Sequence, residues 1–342
     1  MTDVQTRELR RQIAALRRQR RWLPSVLALG STLFLLALAF WLLGFHLTWW
    51  TGLMAFVLIG FMQYRLLLAS HEATHKTLLP PLWLNEFVGL GCASLVGVSL
   101  FNYRRAHLEH HKTPQSIEQD IDGYIYRPLL AAQAGWPRWW LLFTGNYRDI
   151  LTKLRRKFFG DGGLPGTHAL ANAPRPGLRA VTLQVLPLGG AQLGLLAVFW
   201  SLGLIWGYFF FWLAPLLTIA LQLDRIRTFL EHGYNFFYPG PPQADLTRAP
   251  QSTIDVETHF LERYLFAPFG FSDHQAHHAH LTVPFYHLPA LRRLLESHQP
   301  GYVRRVRSSY FTLLARMIRA PLAAEREADL PVPETAVSAT SP

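Results

Sequence analysis

Four stretches of this chain, about 23–45, 49–70, 180–200 and 202–223, are each long and apolar enough to cross a bilayer, which takes about 20 residues of helix. Only 16% of all residues are charged, against roughly a quarter in soluble domains, so lipid is the expected solvent for much of the surface. The first stretch is too long for a cleaved signal peptide, and a second apolar stretch follows it almost at once. The expectation is an all-α, polytopic membrane protein whose spans pair into two hairpins. Residues 85–101 are apolar but short and contain glycine, which suggests an interfacial or re-entrant helix.

Charge sets the orientation. Seven arginines (Arg7, Arg10, Arg11, Arg17, Arg18, Arg20 and Arg21) precede the first span, whereas the connectors at 46–50 and 201–203 carry no Lys or Arg. Basic flanks stay on the cytoplasmic side, so both termini and the segments 71–179 and 224–342 are expected there. The net charge of +11 is accounted for by such flanks and by anionic headgroups, and no nucleic-acid module is visible. Segments 161–178 and 239–251 are rich in Gly and Pro and read as loops, with His168 in the first of them outside the chemistry. Residues 1–322 are expected to form one domain and 323–342 a disordered tail. With Cys92 as the one cysteine, an internal disulfide and a cysteine-held iron–sulfur centre are excluded.

Three histidine clusters fall on the expected cytoplasmic side: His71 and His75 in HEATH, His107, His110 and His111 in HLEHH, and His274, His277 and His278 in HQAHH. On a helix, residues three or four apart share a face, so each cluster can aim its imidazoles at one point. His232, in LEHG just past the fourth span, is a ninth candidate. So many nitrogen donors exceed a four-coordinate zinc site and are too soft for calcium or magnesium. Two five- or six-coordinate ions fit the number, and iron is the redox metal that such a site suits for dioxygen chemistry. Metal-bound imidazole usually gives its other N–H to a carboxylate or carbonyl. Glu72, Glu109, Glu231 and Asp273 are the candidates for that supporting part, with Asp120 and Asp122 behind them.

The series HEATH, YRRAHLEHHKTPQSIEQDIDGY, RIRTFLEHG and DHQAHHAHLTVPFYHLP, across about residues 60–295, resembles the membrane fatty acid desaturase and hydroxylase superfamily, whose hallmark is HxxxH, HxxHH and HxxHH. The resemblance implies a four-helix membrane stem under which a cytoplasmic helical cap holds two irons. It makes His71, His75, His107, His110, His111, His232, His274, His277 and His278 the ligands. In animal acyl-CoA desaturases an asparagine four residues before the extra histidine binds metal through water; Thr228 stands there in this chain, so that contact is not carried over.

Relatives of this kind use dioxygen and two external electrons to remove hydrogen from an unactivated C–H bond, giving a double bond or an alcohol. Desaturation of a long acyl chain is therefore the expected activity. Hydroxylation, carotenoid oxygenation and oxidative decarboxylation to a terminal alkene are alternatives for the same site. Arg104 and Arg105 are candidates to meet an acidic substrate head group, with lipid phosphate as the competing partner. Trp49, Trp50, Trp139 and Trp140 read as interfacial belts. No haem domain or dinucleotide fingerprint is evident, so a separate donor is implied, ferredoxin-like, rubredoxin-like or a cytochrome, and a positive surface suits an acidic one. A metal transporter would need ionisable residues within its spans; Arg65 is the one charged residue in the first two, and the last two have none.

Overall fold

The computed structural model describes residues 3–112, 120, 122–159, 178–238, 253–298 and 305–323. The loop expected at 239–251, all of the one expected at 161–178 but Leu178, which opens a helix, His168 and nearly all of the expected tail lie outside the described residues.

Helix α1 (Asp3–Arg18) precedes α2 (Trp22–Phe45) and α3 (Trp49–Thr74). Pro24 falls in the first turn of α2, where its missing N–H costs nothing because the first amides of a helix have no partner within it. Thr48 caps α3 through Thr51 N, and the Thr51 hydroxyl accepts the Thr48 N–H in return, so two otherwise idle donors are satisfied. Of the apolar windows, 22% is buried in α2 and 67% in α3, which makes α3 the interior helix and leaves Leu27, Phe34 and Trp41 of α2 facing outward. Helix α3 runs to Thr74, four residues beyond the expected end, and so carries His71 within it. Arg65, buried near its inner end, is held by Thr32 and the carbonyls of Ala28 and Tyr264, and lies 4.1 Å over the Tyr264 ring.

Helices α4 (Leu82–Leu95) and α5 (Leu100–His110) meet at 98°. The corner is a glycine stop: Gly97 sits at φ +74°, its N–H bonds to Ser94 O and that of Val98 to Ala93 O, the pattern that ends helices through a left-handed residue. Gly89 lets α4 press on α3. A Cβ there would stand 2.3 Å from Ala73 Cβ, between the two histidines of the first cluster. Gly89→Ala is expected to destabilise the protein by about 1–3 kcal/mol, read as a lower thermal unfolding midpoint in detergent.

Short helix α6 (Gly123–Ala131) leads to α7 (Trp136–Phe159), and α8 (Leu178–Ser201) to α9 (Tyr208–Phe237). The apolar helix expected from 202 starts at Tyr208. The same glycine stop operates at Gly203, φ +70°, with Gly203 N on Trp200 O and Leu204 N on Phe199 O. Helix α9 contains two π-helical stretches, Tyr208–Leu213 and Leu216–Ala220, on either side of Pro215, whose ring cannot fit an ordinary α turn. Its last 17 residues, Leu221–Phe237, pass beyond the apolar part and carry Arg227, Glu231 and His232 inward. Among the described residues three helices are long and apolar enough to span a membrane, or four when the bent pair α4–α5 is one of them; α8 has a shorter apolar part, Val185–Ser201. Trp49, Trp50 and Trp140 are exposed, whereas Trp139 packs on the core and does not belong to a belt.

Strand β1 (Asp255–Glu257), helices α10 (Phe260–Phe266), α11 (His274–Ala279) and α12 (Leu288–His298), strand β2 (Arg305–Arg307) and helix α13 (Tyr310–Arg319) complete the described chain. The described residues are mostly helical, in keeping with an all-α fold, and β1 and β2 add one parallel pair in the register Asp255↔Arg305. The pair is short and serves to clip the segment before α10 to the one after α12. The main core joins α2, α3, α9 and α13, and a smaller one joins Leu9 and Ile13 of α1 to Leu288, Leu291 and Leu295.

Candidate metal centre

Four elements deliver nine imidazoles to one buried region. His71 is in the last turn of α3 and His75 caps it; His107 and His110 end α5 and His111 caps it; His232 lies on α9 and His274, His277 and His278 on α11. Ligand nitrogens of His71, His75, His107, His111 and His277 lie within 4.8 Å of one another, and so do those of His110, His232 and His278. His274 joins the second group, its Nε2 at 3.1 Å from those of His232 and His278. The groups abut, with the rings of His111 and His278 4.2 Å apart. The third cluster is thus divided, His277 to one group and its neighbours to the other.

The nitrogens do not satisfy one another. His107 Nε2 faces His75 Nε2 at 3.0 Å and His111 Nε2 at 2.8 Å, two neighbours for an atom that has either one N–H or one lone pair to offer. Both nitrogens of His71 and Nε2 of His277 are buried without a hydrogen-bond partner. Burial, and then the charge of neighbouring imidazoles, holds His111, His277 and His278 well below the usual histidine range. Burial and Arg104 press His75 down to about 3. Neutral imidazoles with converging lone pairs are the form that binds a metal ion, and both groups can hold one.

The acids divide differently from expectation. Glu72 Oε1 stands 3.3 Å from His71 Nδ1 without hydrogen-bond geometry and accepts from Thr77 at 2.9 Å. Glu231 lies 3.8 Å from His274 Nδ1, held by Arg227 at 2.7 Å and the Tyr310 hydroxyl at 3.1 Å. Glu109 pairs with Lys112 at 2.6 Å and Asp273 with Arg292 at 2.5 Å, so these two turn toward cations and not toward imidazole. The carboxylate that does meet an imidazole is Asp120. Fully buried, it takes His110 Nδ1 at 2.7 Å on one oxygen and the Tyr126 hydroxyl at 2.6 Å on the other. Burial raises its pKa, but the His110 hydrogen bond and charge outweigh that and the net shift is downward. Burial instead lifts Asp122 to about 6. Tyr126 stacks on His232, so Asp120 braces two members of the second group. An acid in a loop ten residues past His110 shares no helical period with it, which is why spacing pointed elsewhere.

Arg104 makes two bonds to Glu86, at 2.9 and 3.0 Å, and one to Ala73 O at 3.0 Å. That ties α5 to the turn bearing the first cluster. Arg105 is exposed. Thr228 is buried and meets Arg227, whose guanidinium lies over Phe271 at 4.3 Å.

A family model, Fatty acid desaturase, matches residues 47–310. The chain belongs to the fatty acid desaturase family. Both histidine groups lie within the matched segment. Among its relatives in that family are an sn-1 acyl-lipid omega-3 desaturase (ferredoxin) of Nostoc sp., 27% identical over 237 residues, covering 67% of this chain and 63% of the relative. A Delta(12) fatty acid desaturase of Calendula officinalis is 25% identical over 279 residues, covering 72% and 66%. The dihydrorhizobitoxine desaturase of Bradyrhizobium elkanii is 23% identical over 269 residues, covering 75% and 71%. The chain therefore spans just under two thirds of the length of the first two.

Proposed function

We propose that this chain is a membrane-bound di-iron oxidoreductase that desaturates a fatty acyl chain. The observation that carries the reading is the division of nine imidazoles, seven buried and His111 and His278 half-buried, into adjoining groups of five and four. His71, His75, His107, His111 and His277 hold one iron; His110, His232, His274 and His278 hold the other. All-nitrogen donor sets of this kind suit a redox-active first-row ion, and bound iron supplies dioxygen activation. The reaction balances as –CH2–CH2– plus O2, two electrons and two protons, giving –CH=CH– and two waters.

The chain's own residues supply the setting. Burial keeps most of the imidazoles from bulk water, Asp120 fixes His110 of the second group, and Glu231 and Glu72 sit beside His274 and His71. The spans form a stem in the bilayer, and the basic flanks put the termini and the histidine-bearing cap on the cytoplasmic side. Residues 1–322 act as one domain, and electrons come from a separate donor. A ferredoxin fits, since one relative's name specifies it. The relatives' names agree on desaturation and differ in what is desaturated, so the reaction type is better supported than the substrate.

Expression in a host with lipid profiling by mass spectrometry tests the reading. New double bonds in acyl chains are expected, with about two iron ions per purified chain. Two zinc ions per chain and no dioxygen use, with reductant and acyl substrate present, would refute it.

A further inference from the structure

The seven arginines before the first span do more than set topology. Helix α1 is amphipathic, yet its apolar face is not offered to lipid: Leu9 and Ile13 are buried against Leu291 and Leu295 of α12. The helix is therefore docked on the segment that follows the third histidine cluster, and it leaves its arginines outside. At its end, just before Trp22 opens α2, four arginines crowd into five residues, Arg17, Arg18, Arg20 and Arg21, all exposed.

These residues touch the edges of two clusters. Arg17 Nη2 donates to His280 Nδ1 at 3.1 Å, two residues past His278. Arg20 donates to the carbonyl of Lys76, the residue after His75, which is held at φ +61°. The Arg21 N–H donates to the Tyr286 hydroxyl at 2.7 Å, and His287 Nε2 donates to Gln19 O at 2.9 Å. Arg17 and Arg20 are thus engaged with the protein, while the side chains of Arg18 and Arg21 extend outward. Arg17 to Trp22 is five residues, at most roughly 17 Å of chain. All four guanidiniums therefore lie within reach of the headgroup layer at the inner end of α2.

We infer that the junction of α1 and α2 is a docking site for anionic phospholipid headgroups, and that headgroups bound to Arg18 and Arg21 hold α1 against the residues flanking the first and third clusters. The inference rests on the membrane orientation proposed above, not on the metal or the reaction. Charge favours it: near an anionic surface each arginine contributes about a fivefold gain in partition. An acidic soluble protein is the competing partner, but it would have to reach arginines at the membrane edge.

The test is amide hydrogen exchange of the full chain in nanodiscs of phosphatidylcholine alone or with about 30 mol% phosphatidylglycerol. Peptides covering 3–21 and 275–287 are expected to exchange about tenfold more slowly with the anionic lipid. Arg18→Gln/Arg21→Gln, which leaves the contacts to His280 and Lys76 in place, is expected to lose most of that difference. Equal exchange in the two lipids, an undiminished lipid response in the variant, or protection that appears only when an acidic ferredoxin is added to zwitterionic discs would each overturn the inference. Exchange is read without turnover, so this outcome is separable from the fate of the iron assignment, which metal analysis of the same samples reports.

Discussion

His107→Ala is expected to abolish dioxygen consumption and to lower bound iron from about two ions per chain toward one. His107 occupies the middle of the five-imidazole group. Its Nε2 lies 3.0 Å from that of His75 and 2.8 Å from that of His111, and its ring stands 4.3 Å from His71. Tyr103 stacks on its ring. The remaining four imidazoles keep their positions on α3, α5 and α11 but lose the donor that all of them face. The second group draws on His110, His232, His274 and His278 and should keep its ion. The loss of activity should exceed the roughly 10–100-fold that follows removal of an outer hydrogen-bond partner. Iron analysis with oxygen-electrode rates checks this, and His46→Ala serves as the control because His46 lies at the opposite end of α2. A variant with two irons and undiminished turnover would remove the basis of the proposed function.

Much of this centre is legible in sequence because it is built from helix ends. HxxxH and HxxHH carry their geometry in their spacing, and the apolar stretches mark the helices at whose ends the clusters sit. The division into five and four was not legible. His277 and His278 are neighbours in sequence but leave α11 about 100° apart, the ordinary angle between successive helical residues, and so enter different groups. The start of the fourth span was hidden for another reason. Leu202, Leu204, Ile205 and Trp206 are as apolar as the span itself, and only Gly203 marks the break.

Partners distant in sequence were invisible for a related reason. Arg104 reads as a free cation beside a histidine cluster until Glu86, eighteen residues earlier, is folded against it. The β1–β2 pair consists of two runs of three residues, too short for alternation to show, and joins positions fifty residues apart. In each case tertiary contact decided the role of a residue whose local pattern was neutral. The same holds for the acids: Glu109 and Asp273 sit within or beside the clusters and pair elsewhere, while Asp120 sits apart and comes back.

Asp120→Ala is expected to weaken iron binding at the second group by roughly 10–100-fold, the usual effect of deleting a carboxylate behind a metal-bound imidazole. The change removes the acceptor of His110 Nδ1 at 2.7 Å and of the Tyr126 hydroxyl at 2.6 Å. It also removes the bond from Asp122 N at 2.9 Å. Without it His110 is free to turn, and Tyr126 loses the bond that keeps its ring stacked on His232, so two of four ligands are affected by one substitution. Each buried polar group left without a partner costs about 1–3 kcal/mol, and the apo protein should melt at a lower temperature as well. Asp120→Asn separates the two effects. An amide still accepts from His110 through its oxygen but cannot polarise the imidazole as a carboxylate does, so melting should recover more fully than iron affinity. Titration with limiting iron reads the result: the first equivalent should bind as in the natural chain and the second should weaken. Equal loss of both equivalents, or of neither, would show that Asp120 does not act through the second group.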